Sequence, residues 1–177
     1  VNRLEIPSYT FRHEFKDGFP AITTKKLNYK SVVTELIWFL RGDTNIKYLV
    51  DNGCNNWNKD AYNYYLKRYN SKDGKGLFTF EEFVNYIKNR DKKHPVIGDL
   101  GPVYGHQWRN FNSEWVDQLK NAINQIKTNP TNRRIIISAW NPAQIDQMLL
   151  PPCHAFFQFN VDTTNNVLNL QLYQRSA

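Results

Sequence analysis

The spacing of apolar residues changes period several times along the chain, and each change predicts an element. Val33, Leu36, Ile37 and Leu40 recur at helical spacing, with Gly42 where a C-terminal cap belongs, so a helix with that stripe inward is expected. Asp43-Thr44-Asn45 can cap a short second helix over 46–50, ended by Asn52-Gly53. Thr79-Phe80-Glu81-Glu82 is a capping box opening a helix with Phe80, Phe83, Val84 and Ile87 on one side. Val116, Leu119, Ile123 and Ile126 form a further stripe, with Ser113 as its candidate cap and Asn129-Pro130 as its stop. The period then shortens. Ile135-Ile136-Ile137 reads as a buried strand. Asn141-Pro142 is expected to start one more helix, with Ile145, Met148 and Leu149 inward. Ala155, Phe157, Phe159 and Val161 alternate with His154, Phe156, Gln158 and Asn160 on a strand, and Leu168, Leu170 and Leu172 on another, across a turn over 162–166. Residues 4–15 are loosely extended and aromatic-rich, closed by the turn Lys16-Asp17-Gly18-Phe19-Pro20. Helices interleaved with strands predict a mixed α/β (α+β) fold.

Length and composition narrow this picture. A chain of 177 residues supports one domain, taken as 1–177, and 41% hydrophobic residues suffice for a core. Within it, 58–97 reads as a small, partly helical, peripheral insert containing the flexible stretch Ser71-Lys72-Asp73-Gly74-Lys75-Gly76. No apolar run reaches membrane-spanning length, no secretory signal is present, and two cysteines do not make a disulfide framework, so a cytoplasmic setting is expected. The net charge of +7 favours an anionic partner. Between positions 59 and 93 there are nine Lys/Arg against five Asp/Glu, a solvated face rather than a nucleic-acid groove. The sequence opens without methionine and stops inside an alternating pattern, which is read as a piece of a longer chain.

Four places carry candidate chemistry. Pro151-Pro152 holds the chain extended and delivers Cys153 to the mouth of a strand, on the aromatic face. There a thiol can be aimed at a substrate, or it can be a small buried hydrophobe. Glu35 lies inside an apolar helix, either paired at the rim of the buried face or desolvated and able to deliver a proton. The glycines and aromatics of 98–109 suggest backbone lying close to a ligand, without matching a phosphate-loop pattern. Arg133 and Arg134, at a strand entrance, are either solvated or planar donors for an oxyanion. No metal is expected.

Taken together, Asp17-Gly18-Phe19-Pro20, Thr23-Thr24-Lys25-Lys26, the helix run from Glu35-Leu36-Ile37-Trp38 on to Asp43-Thr44-Asn45, and the stretches 98–108, 133–140, 151–159 and 171–176 resemble thymidylate synthases, in that family's order. The resemblance covers nearly all of the chain except the insert. It implies a large twisted mixed sheet flanked by helices, a homodimer through a sheet face, and reductive methylation of dUMP to dTMP with methylenetetrahydrofolate as carbon and hydride donor. Carried onto this sequence, Cys153 is the nucleophile that adds to carbon 6 of the uracil, kept as thiolate by Arg175 beside it. Glu35 organises proton transfers, Tyr104 assists loss of the carbon 5 proton through water, and His154 orients or holds water. Arg133 and Arg134 reach the nucleotide phosphate from the partner subunit, joined by Arg175, Ser176 and Gln174 in the nucleotide pocket. Lys25, Asn28 and Trp57 stand on the folate side.

Two departures fall on that folate side. Asn28 stands where many members carry histidine, and Asn56 and Asn58 flank Trp57 where an apolar residue and an acid are commoner. The rival readings are a deoxycytidylate hydroxymethylase, which uses the same thiol addition on another base, and an inactive truncated form that only binds.

Overall fold

A computed structural model describes residues 9–69, 77–90 and 96–175. Six helices and three strands follow in chain order among these residues: α1 (Tyr29–Leu40), α2 (Lys47–Asp51), α3 (Asn58–Tyr69), α4 (Phe80–Asn89), α5 (Tyr104–Arg109), α6 (Gln118–Thr128), β1 (Ile136–Ser138), β2 (His154–Asp162) and β3 (Val167–Gln174). Helices and an antiparallel sheet together make the expected mixed class. The described sheet has the order β1-β2-β3, both pairings antiparallel, and β2–β3 is a hairpin with a register irregularity between His154 and Phe156.

Local chemistry sets most boundaries. The end of α1 is a Schellman arrangement: Gly42, at φ 76°, gives its N–H to the Phe39 carbonyl, and Asp43 N–H reaches the Trp38 carbonyl. Ile46 is the N-cap residue of α2, and Asn45 Oδ1, one position ahead of it, accepts the first helical N–H, that of Lys47. The Thr79–Glu82 capping box is present at α4. The predicted linker 71–76 lies outside the described residues.

Three expectations differ from what is found. On α1 the buried residues are Ser31, Thr34, Trp38 and Phe39, while Leu36 and Ile37 remain 47% and 40% exposed. The two large rings choose the face: Phe39 packs on Tyr104 and Trp108, and the Trp38 indole donates to the Asn45 carbonyl. Asp117, not Ser113, caps α6, its carboxylate accepting the Lys120 N–H, whereas Ser113 sits at φ 61° in a turn. The helix expected after Pro142 is only a 3-10 turn over Ile145–Gln147, because the Leu149 N–H is taken by the Leu100 carbonyl and the chain leaves extended towards Pro151.

The core runs from Trp38 and Phe39 through Ile46, Leu49 and Leu100 to Trp108, Ile135 and Ile137. Ala61, Tyr65, Phe83 and Ile87, from α3 and α4, join the same cluster, and α4 packs against α2 and α3. Under β2 the sheet's inner face meets this core through Ala155, Phe157 and Phe159. Cross-strand partners Leu170 and Leu172 on β3 share that face but stay 56% and 43% exposed.

Candidate active site

Cys153 stands at the base of β2, partly exposed, after the buried ring of Pro152. Its backbone is fixed at both polar atoms. The carbonyl accepts the Arg175 N–H at 2.8 Å, and the N–H donates to the Tyr104 phenolic oxygen at 2.7 Å. The His154 N–H approaches the same oxygen at 3.4 Å. A phenol offers two lone pairs and one proton, so an oxygen engaged by amide donors keeps its own O–H to give elsewhere. Burial of the ring pushes the Tyr104 pKa up, against the pull of the two amide donors, so the hydroxyl stays protonated at neutral pH.

Helix packing puts Tyr104 there. A Cβ on Gly105 would come within 2.6 Å of the Asp43 carbonyl, so only glycine lets α5 lie this close to the end of α1. Gly101, at φ 77°, lies tighter still against the Gln147 carbonyl. The close approach expected of this Gly-rich stretch is therefore made, within this chain, to the protein's own backbone.

Glu35 projects from α1 into the same region. The Trp57 indole N–H donates to Glu35 Oε1 at 2.6 Å, and the Trp57 ring lies 6.5 Å from that of Tyr104. His154 is 5.6 Å from Tyr104, ring to ring. Burial pushes the His154 pKa down while the nearby Glu35 charge opposes the shift, so the imidazole is neutral near pH 7. Cys153, His154, Tyr104, Glu35 and Trp57 thus form one constellation, drawn from α1, the start of α3, α5 and β2.

The remaining predicted residues are placed differently. Arg175 lays its guanidinium along the Pro151 and Pro152 carbonyls at 3.4 Å and over the Trp140 ring at 5.8 Å, strapping the cysteine loop. Trp140 in this role had no signal in the sequence beyond ending a strand run. Gln174 pairs in register with His154, and Ser176 lies outside the described residues. Arg133 and Arg134 are exposed beyond β1, where Ile136 pairs with Gln158 and the Gln158 amide donates to the Arg133 carbonyl. Gln158 lies midway along β2, about 17 Å of strand from Cys153. Asn28 caps α1 by accepting the Ser31 N–H, on the helix that carries Glu35, and Lys25 is exposed before it. Among the described residues no group of three His, Cys, Asp or Glu side chains could hold a metal ion, and no helix is long and apolar enough to cross a membrane.

A family model described as thymidylate synthase matches residues 1–177. The chain belongs to the thymidylate synthase family. It is similar to the thymidylate synthase of Mycoplasma genitalium, 48% identical over all of this chain and 59% of that protein. It is also similar to that of Mycoplasma mobile, 55% identical over 94% of this chain and 55% of that protein, and to that of Malacoplasma penetrans at 51% with the same coverage. The chain therefore spans 55–59% of the length of these relatives.

Proposed function

We propose that the protein methylates dUMP to dTMP, with methylenetetrahydrofolate as co-substrate, through covalent addition of Cys153 to carbon 6 of the uracil. The observation that carries this reading is a partly exposed thiol whose backbone is fixed by Tyr104 and by Arg175, inside a ring of groups able to move protons. Membership of the family and the names of its relatives support the substrate pair.

The residues divide the work by chemistry. Cys153 adds as thiolate, and the displaced electron pair of the 5,6 double bond moves towards the carbon 4 oxygen, leaving carbon 5 nucleophilic. Glu35, held by the Trp57 N–H, directs proton exchange at that oxygen through water. Tyr104 keeps its proton and points it, through water, at the carbon 5 side, where a base must remove a proton before the thiolate can leave. His154 stays neutral and holds that water in place. Folate, when bound, supplies the one-carbon unit and the hydride. Trp57 offers it a flat ring beside Glu35, with Asn28 and Lys25 along the same segment, Lys25 suited to an anionic tail.

Phosphate binding is proposed to be shared. Arg133 and Arg134 precede β1, away from Cys153 of their own chain, which supports a reading in which a second copy supplies them and the active form is a homodimer. Gln174, Arg175 and Ser176 complete the nucleotide pocket in this reading. It is tested by incubating the full-length protein with 5-fluoro-dUMP and methylenetetrahydrofolate. Mass spectrometry is expected to find a ternary covalent adduct on Cys153. Folded protein that never forms one overturns the reading.

A further inference from the structure

Behind the site lies a group of side-chain amides for which the reaction has no use. Gln107 is fully buried on α5, one turn after Tyr104, and Asn141 is 4% exposed at the start of the segment that leads to Cys153. Gln107 Nε2 donates to the Pro102 carbonyl and to Gln144 Oε1, both at 2.8 Å, and Gln107 Oε1 accepts from Asn141 Nδ2 at 3.2 Å. Its amide is thus satisfied at both donors and at the acceptor. From α6, the Gln118 amide bonds the Gln107 carbonyl at 2.8 Å and both backbone polar groups of Ser138, tying α5 to the end of β1.

Two stretches of chain meet here: 98–109, which carries Tyr104, and 138–154, which carries Cys153. They are joined at one end by the bond from the Cys153 N–H to Tyr104 and at the other by Gln107 with Gln144 and Asn141. We infer that Gln107, supported by Gln144, is a positioning residue for the reaction. It fixes the separation of the two stretches so that the Tyr104 hydroxyl stays on the Cys153 amide. Apolar packing alone lets neighbouring segments slide by fractions of an ångström, whereas a buried, fully satisfied amide admits one register, because every alternative strands a polar group. The Leu149 N–H on the Leu100 carbonyl also joins the two stretches, but it lies on backbone away from α5 and leaves the Tyr104 side of the contact to the amides.

The inference rests on the function proposed above. Its test uses the full-length protein with Gln107→Met and Gln144→Met, each alone and combined with Tyr104→Phe. Each single variant is expected to lower kcat by about ten- to a hundredfold with the KM for dUMP changed less than about threefold. In the Tyr104→Phe background the same changes are expected to add less than about twofold, because the bond they protect is already gone. Losses that multiply undiminished in that background, or no loss in the first place, overturn the inference. Should Gln107→Met fail to fold, Gln144→Met at its half-buried position carries the comparison. Amide hydrogen exchange at Cys153 and His154 in ligand-free protein is expected to quicken about tenfold in both variants while α1 keeps its protection. Unchanged exchange overturns the clamp even in a protein that turns nothing over. Absence of turnover in the unmutated protein overturns the functional reading instead.

Discussion

The Tyr104 hydroxyl accepts the N–H of Cys153 at 2.7 Å, so an aromatic side chain on a short helix fixes the backbone of the candidate nucleophile, forty-nine positions further along the chain. Tyr104→Phe keeps the ring among Phe39, Trp57 and Trp108 but leaves that amide without its acceptor. A loss of about 1–2 kcal/mol in urea denaturation is expected, and turnover lowered by at least about a hundredfold. Unchanged turnover would remove Tyr104 from the mechanism.

Trp57→Phe separates ring from donor. The aromatic contact with Trp38 survives, but Glu35 loses its 2.6 Å indole partner. A hydrogen bond to a carboxylate is worth about 1.5–3 kcal/mol, so the melting temperature is expected to fall by several degrees and kcat/KM by about ten- to a hundredfold. Steady-state kinetics beside a thermal melt decide it.

The proposed sharing of the site across a dimer has a signature that needs no structure. Cys153→Ala and Arg133→Ala proteins should each be inactive, and refolding them together should restore up to about a quarter of the wild-type activity, the share of intact sites in a random mixture. Mixtures that stay dead after confirmed subunit exchange would place the phosphate ligands elsewhere.

Two glycines separate steric from conformational cost. Gly101→Ala demands an unfavourable φ of 77° and drives a methyl group into the Gln147 carbonyl, and about 2–3 kcal/mol of stability should be lost. Gly53→Ala has a similar φ of 72° but open space, and should cost only about 1 kcal/mol. Equal losses would show that the packing of 98–109 on 144–147 is loose.

Acid sensitivity follows from the two partly buried imidazoles. Burial lowers the pKa of both His154 and His106, so the folded state binds fewer protons than the unfolded chain. Their contribution is complete above the ordinary imidazole range, near pH 6.5, and is lost as pH falls below it towards the depressed folded values. Urea midpoints should hold between about pH 7 and 8 and drop from about pH 6.5 to 5. Replacing His154 with Gln should flatten part of that drop, and a profile indifferent to the change would assign the effect to other groups.

Much of the outline could be read from single residues because the forces involved are local. A glycine after a helix, an Asn ahead of one and a Thr–Glu box act within a few positions, and Gly42, Asn45 and Thr79 do what their spacing implies. Period-two alternation and a pair of prolines likewise placed Cys153 at a strand mouth. Motif order along the chain was enough for the family.

The sequence could not say which neighbour each face would meet. The α1 stripe failed because burial is decided by volume on the opposing element, and Trp38 and Phe39 outweigh the leucines once α5 is there to receive them. The helix after Pro142 failed because one distant carbonyl, on Leu100, took the Leu149 amide. Hydrogen bonds from Trp57 to Glu35, from Cys153 to Tyr104 and among Gln107, Asn141 and Gln144 join residues 22, 49, 34 and 37 positions apart. Composition and period carry no trace of such pairs. The residue types that could do chemistry were written in the chain, but only folding chose which of them stand within reach of one another, since a hydrogen bond needs about 3 Å and sequence has no measure of distance.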